Sequence, residues 1–368
     1  MKIRNKKLLT KSIAMAIFMS STLYTMPITH AAFNNNTLPS NGTVVAGTNV
    51  NISDPANITQ GSTNAVIKWD DFSVGANATV NFNGPSAGFN TLNYVDSGNL
   101  SQIYGTINAT NGNIYIVNPA GVQIGNSAQI NVGSLYVSNK NLNEKNLNQF
   151  NGNNFSSLID TSKTSNAELM SLGNINAANK VTFDGNRIVL DVDRVKNGQD
   201  QLGVGNITIK TTQTDFDNKN VVLGYTAYNS VDKTYKDKND GTLLLATLEG
   251  VKDTQGIDKT TLTKADGFMW VKDGEQLQAM DSNLSGNYAF RNSIDLNATA
   301  DNTVTFDSVG DSKNAFTVNL DGLGYGELIG INCWKLVGKN NDHIENMSFA
   351  IPIDIAYKKI ENHLPDKK

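Results

Sequence analysis

Asp191 and Asp193, in the stretch LDVDRV, are the first residues whose types and spacing could do chemistry. Alternate residues of an extended strand share a face, so the two carboxylates would stand side by side with Arg194 adjacent. Grouped carboxylates on one face can act as general acid and base or hold calcium. Asp70 and Asp71, in KWDDF, form a second pair, but neighbours on a strand point to opposite sides. Alternating carboxylates are also what a solvated strand face of this composition would carry. The expectation is therefore no catalytic residue, no cofactor and no metal site.

Other residue types support the same expectation. The sequence has no Gly-rich phosphate loop, no Ser/His/Asp set and no metal-ligand spacing. Its one cysteine, Cys333, stands near the C-terminal end with His343 and His363, and the third histidine, His30, falls in the leader. Zinc is thereby disfavoured, and no internal disulfide is available. Trp69 and Phe72, followed by Val80 and Phe82, could stack against sugar rings, but core packing is the simpler reading. Tyr104, Tyr115 and Tyr136 recur on strands, where tyrosine fits a half-buried surface. The Asn-x-Ser/Thr triplets at Asn51, Asn77 and Asn108 follow from a composition rich in Asn and Thr.

One break in the pattern stands out. In GNIYIVNPAGVQIG (112–125) an apolar strand run is interrupted by Asn118, Pro119, Ala120 and Gly121. These fit a type I turn position by position, with Asn first, Pro second and Gly fourth. The Asn118 side chain can accept from the Ala120 N–H, closing an Asx turn worth about 1 kcal/mol. The break is thus expected to be a corner that keeps Ile116 and Ile124 on the interior.

The elements that must position these residues are short strands. ATVNFN, SQIYGTINA, GNIYIVN and AQINVGSLYVS alternate apolar and polar residues between Gly and Asn turns. Gly105-Thr-Ile-Asn-Ala109 recurs as Gly173-Asn-Ile-Asn-Ala177, with a related Gly205-Asn-Ile-Thr-Ile209. Recurrence without strict repetition predicts a parallel β-helix, a solenoid of roughly 20 to 25 residues per rung, in preference to a sandwich; the family resemblance given below implies that it is right-handed. The fold class is all-β, with a small, less regular C-terminal module. The polar stretch 139–170 reads as a lateral excursion, and 271–280 as a helix with Asp273 as N-cap and Gln276 reaching back.

Lys2, Arg4, Lys6, Lys7 and Lys11 precede an apolar run over 13–28, the order of a secretory signal, with cleavage expected after Ala31. Removing 1–31 lowers Lys+Arg from 30 to 25 and leaves Asp+Glu at 34, a net charge of −9. An acidic exported chain is a poor partner for nucleic acid or anionic lipid.

Several ordered phrases resemble the N-terminal secretion domain of the filamentous haemagglutinin family. They are LPSNGTVVAG (38–47), ITQGS (58–62), VIKWDDFSVGANATVNFNGPSA (66–87), SQIYGTINATNGNIYIVNPAGVQIG (101–125) and AQINVGSLYVS (128–138). A looser likeness over 268–325, ending in NLDGLGY, is to the Gly-Leu-Asp-Gly-rich modules of bacterial adhesins. The resemblance implies a domain plan of signal peptide (1–31), secretion-type β-helix (32–228), polar linker (229–265), adhesin-type β module (266–325) and divergent tail (326–368). It also implies export through the periplasm by two-partner secretion, an outer-membrane β-barrel transporter as partner, and a secreted or surface-exposed adhesin whose receptor it does not name. Asn118, Pro119, Ala120 and Gly121 become the expected transporter-recognition residues, with Ala120 where the family usually has Asn. The main rival is a secreted polysaccharide-active enzyme on the same fold. An autotransporter would need C-terminal amphipathic strands where the chain instead ends in charge, and a toxin domain would need more residues than follow Gly324.

Overall fold

A computed structural model describes residues 34–198, 204–235 and 243–292, with the strands Leu320–Gly322, Gly330–Val337 and His343–Ile351. The expected signal and its cleavage residue Ala31 lie outside the described residues, as does His363.

The alternating runs form strands that stack in parallel into three ladders. The first contains Asn57–Thr59 and Thr79–Asn83, then the leading arms of three bent strands, Thr106–Val117, Gln129–Ser138 and Asn174–Asp184, and lastly Val195–Lys196. The second contains Asn64–Trp69 and Asn90–Val95, the trailing arms of the same bent strands, Ile207–Lys210 and Leu244–Glu249. The third contains Ser101–Ile103, Val122–Ile124, Glu168–Ser171, Arg187–Asp191, Val221–Tyr225, Phe268–Val271, Tyr288–Phe290 and Leu320–Gly322. From residue 106 to 225 the chain passes through first, second and third in an unchanging cyclic order. Thr106 pairs with Gln129, Asn113 with Ser134 and Ser101 with Val122, steps of 23, 21 and 21 residues. Antiparallel strands Thr43–Ala46 and Thr261–Thr263 close the two ends of the second ladder.

Parallel register places like on like. Ile107, Ile130 and Ile175 form one interior column, Ile114, Leu135 and Val181 a second, and Ile116, Val137 and Phe183 a third, all at most 1% exposed. On the outside of the first ladder the column is asparagine. The Nδ2 of Asn81 donates to Asn57 (3.1 Å), Asn108 to Asn81 (3.0 Å) and Asn131 to Asn108 (3.0 Å). Asn64, Asn90 and Asn113 repeat the arrangement at the start of the second ladder, at 2.8 and 3.0 Å. Between the two ladders the chain bends where Asn111 adopts φ 58°, in the left-handed region that asparagine tolerates. One strand later Gly133 fits beneath this bend, where a Cβ would come within 2.9 Å of the Asn111 backbone.

Three expectations change. The stretch 139–170 is an excursion only to about residue 167, because Glu168–Ser171 joins the third ladder. It is also no free loop: Leu142, Leu147, Phe150, Phe155 and Leu158 pack on Val66, Leu92, Tyr94 and Val117, covering the outer side of the second ladder. The span 229–265, expected as a linker, supplies Leu244–Glu249, whose Leu245 and Leu248 enter the interior. Its polar composition belongs to the connections around that strand, so no break separates the described parts of 32–228 and 266–325. Helix Gly274–Ala279 is shorter than expected because Val271 ends a strand. Its cap is as read, with Asp273 accepting from Gln276 N at 2.8 Å and Gln276 Oε1 accepting from Lys272 N at 3.0 Å.

Interior and exterior columns should differ in what they contribute. Ile107→Ala is expected to cost about 2–5 kcal/mol through the cavity it leaves, whereas Asn108→Ala, which removes two links of an outer column, should cost about 1–2 kcal/mol. Urea unfolding of the two variants checks the order.

Candidate functional site

The corner at 118–121 connects the second ladder to the third. Gly121 N donates to Asn118 O at 2.9 Å and the Asn118 side chain accepts from Ala120 N at 2.8 Å, so the turn and its Asx bond form as read. Gly121 has φ +105° and lies so close to the Glu168 carbonyl that a Cβ would stand 2.8 Å from it; both facts require glycine.

The structure adds two bonds that the sequence did not suggest. The Asn118 Nδ2 donates to Asn99 O at 2.7 Å and to Ser101 Oγ at 2.9 Å, which stitches the corner to the start of the third ladder. Asn118 is 0% exposed. Its side chain therefore works inside the protein, and a partner meeting the folded corner cannot touch it. Pro119 and Ala120 are half-buried and remain at the surface, and the Pro119 carbonyl accepts from Ser165 Oγ at 2.5 Å, where the excursion returns. The four expected recognition residues thus separate into two that hold the corner and two that it presents.

The carboxylates first considered for catalysis are engaged otherwise. Strand Arg187–Asp191 ends at Asp191, and Val192–Arg194 is a 3₁₀ turn, so Asp191 and Asp193 do not stand side by side on one strand face. Asp191 is 2% exposed and pairs with Arg291 Nε at 2.8 Å, a partner 100 residues away, while Arg194 Nε lies at 3.9 Å. Asp193 accepts from the backbone N–H of Thr226 at 2.6 Å. Asp70 accepts from Asn41 at 2.9 Å and Asp71 from Ser73 at 2.6 Å. No group of three or more His, Cys, Asp or Glu that could hold a metal occurs among the described residues. Trp69 and Phe72 are core residues at 1% and 0% exposure, with Trp69 Nε1 donating to Asn93 at 3.0 Å.

One ionisable pair was missed because its members are 48 residues apart. Tyr136 donates to Asp184 Oδ2 at 2.5 Å where the excursion leaves the second ladder. Burial pushes the Asp184 carboxyl above the usual carboxylate range, against the opposing pull of the Tyr136 hydroxyl, Lys140 and Lys210. Burial likewise raises Tyr136, reinforced by the negative charge of Asp184.

Comparison with known proteins gives a family. The model of the TPS secretion domain matches residues 31–305. A heme/hemopexin-binding protein of Haemophilus influenzae is 34% identical over 175 residues, 46% of this chain and 19% of that protein. A second heme/hemopexin-binding protein of the same species is 42% identical over 89 residues, 24% of this chain and 10% of that protein. The chain thus spans a fifth or less of the length of these relatives. The crystal structure of the HMW1 secretion domain from Haemophilus influenzae aligns at 17% identity and a TM-score of 0.33, covering 68% of this chain and 55% of that one.

Two variants probe the site chemistry. Asn118→Ala leaves the Ala120 N–H, the Asn99 carbonyl and the Ser101 hydroxyl without their partner and should cost about 2–4 kcal/mol, whereas Ala120→Asn at the half-buried position should stay within about 0.5 kcal/mol. Thermal melting distinguishes them. For Asp184, a folded pKa above the unfolded one means that the carboxylate opposes folding at neutral pH and that this cost is relieved as pH falls through the raised value. From pH 7 towards pH 4 the native protein should therefore gain stability relative to Asp184→Asn, measured by urea unfolding at each pH.

Proposed function

The chain belongs to the family of TPS secretion domains, and from that premise we propose that its three ladders coil as a right-handed parallel β-helix that directs export of the protein by two-partner secretion. The unbroken cyclic order of the ladders from 106 to 225 carries this reading. A parallel strand that returns to its own sheet by crossover connections does so right-handedly in nearly all proteins. Each completed turn leaves one row of backbone N–H and C=O groups open, and the next turn of chain satisfies it. A chain emerging at a cell surface can fold in this way from one end, without disulfide or metal.

The leader over 1–31 takes the protein to the periplasm, an outer-membrane β-barrel transporter is the partner, and the product is a secreted or surface-exposed protein of adhesin type. The receptor is left open. A catalytic role has no residue to rest on in this reading, since Asp191 and Asp193 are occupied by Arg291 and by Thr226 N–H. At the corner, Pro119 and Ala120 are the residues a transporter meets on the folded domain, and Asn118 and Gly121 set their position.

Co-expression with a two-partner-secretion barrel transporter should place the mature protein in the medium or on the cell surface, and omission of the transporter should retain it in the periplasm. Pro119→Ser is expected to lower export severalfold while the purified domain melts within a few degrees of the native one. Transporter-independent export would defeat the general reading. Export of Pro119→Ser at the native rate would defeat only the assignment of the corner.

A further inference from the structure

Both ends of the excursion are held by one side chain. Asn186 lies in the bend between strands Asn174–Asp184 and Arg187–Asp191. Its Nδ2 donates to the carbonyl of Ser165, where the excursion returns, at 2.9 Å. Its Oδ1 accepts from Nζ of Lys140, where the excursion leaves, at 2.7 Å. Asn139 repeats the closure one residue earlier, with Nδ2 donating to Ala167 O at 2.6 Å and its backbone N–H to Asp184 O at 3.4 Å. Lys140 and Asn186 are both half-buried, and the Lys140 backbone is fixed by its N–H on Ser138 Oγ at 3.0 Å. The fold thus holds an amine against a carboxamide although 46 residues separate them in the chain.

An amine in that position can do more than donate a hydrogen bond. A C=O bond of about 1.23 Å puts Nζ about 3–4 Å from Cγ of Asn186, at or just beyond the about 3–3.5 Å of a near-attack pair. Attack requires a base to take a proton from the ammonium and an acid to protonate the leaving nitrogen. Asp184 precedes Asn186 by two residues, is 6% exposed and interacts electrostatically with Lys140. Burial raises its carboxyl, with Glu249 adding to the rise and Tyr136, Lys140 and Lys210 opposing it, so it takes up a proton more readily than an exposed carboxylate.

We propose that Lys140 and Asn186 join in an isopeptide bond across the base of the excursion, with Asp184 as proton carrier. Asp184 takes a proton from the Lys140 ammonium, and the freed amine adds to Cγ of Asn186. The Cγ–Nδ2 bond then breaks. Lys140 Nζ gives up two protons in all, and both pass, the first by way of Asp184, to the departing Nδ2, which leaves as ammonium. Charge and atoms balance with no oxidant. The pair exists only once Asn174–Asp184 has been laid on Gln129–Ser138, so the bond forms in the folded protein and thereafter keeps the excursion from opening at its base. In a chain with one cysteine, this is a covalent closure that needs no disulfide.

Mass spectrometry of the mature chain, purified folded and then denatured, tests this. The mass should fall below the sequence mass by one ammonia, and trypsin should release a branched peptide that joins the chain around Lys140 to residues 181–187. Lys140→Arg and Asn186→Ala should each restore the full mass and abolish the branched peptide, and Asp184→Asn should slow its appearance severalfold. A full mass with Lys140 and Asn186 in separate peptides, from protein that melts cooperatively, would overturn the proposal. So would loss of ammonia without a branched peptide, the mark of a succinimide at an Asn-Gly step. Formation at the native rate in Asp184→Asn would overturn the role given to Asp184.

Discussion

The constraint on which the structure rests is the pairing of each strand with the one laid down a turn earlier. A parallel ladder satisfies backbone groups only if successive turns keep register, and one slipped residue would move every interior side chain to the outside. The chain defends register in two ways. Interior columns of Ile, Leu and Val stack like on like, and outer asparagines bond along the ladder axis from Asn57 to Asn131. The amide column is selective in a way that the aliphatic one is not, since a shift of one residue replaces an Asn-to-Asn bond by an amide facing an apolar residue.

Stacking in parallel creates a second problem, which each ladder solves differently. Every sheet has an outside, and residue types suited to strands are apolar or β-branched. The first ladder makes its outside polar with asparagine. The second keeps apolar residues there and folds 139–167 over them, with Tyr115 and Tyr136 stacked at 5.5 Å and Phe155 against Tyr136 at 4.4 Å. The Lys68 ammonium, 2.8 Å from Asp96 and 3.0 Å from Glu144, ties that cover to the ladder at its rim. The excursion enters the repeating order of the ladders as an insertion, which is why Gln129 pairs with Asn174, 45 residues on, without disturbing the strands on either side.

Alternation and turn chemistry were legible in the sequence because both are local. The strand runs, the Asx corner at Asn118 and the cap at Asp273 each depend on residues within a few positions of one another. What could not be read is whatever joins distant turns. Asn99 and Ser101 as partners of Asn118, Asp184 for Tyr136 and Arg291 for Asp191 are set by the rung length and by insertions, and neither is encoded beside the residues concerned. The reading of 229–265 as a linker failed for a related reason. Polar composition described the connections correctly, but six residues, Leu244–Glu249, suffice for a strand and scarcely alter the composition of the span.

The corner shows how such long-range closure decides which side chains stay exposed. Asn118 has its backbone N–H on Ser138 O and its side chain on Asn99 and Ser101, while Ser165 reaches Pro119. Two of these partners precede the corner in the chain and two follow it. The amide of Asn118 is therefore accessible only before the neighbouring turns have been laid down, whereas Pro119 and Ala120 stay accessible afterwards. Sequence reasoning treats the four residues as one unit; burial divides them into Asn118 and Gly121, which the fold encloses, and Pro119 and Ala120, which it leaves at the surface.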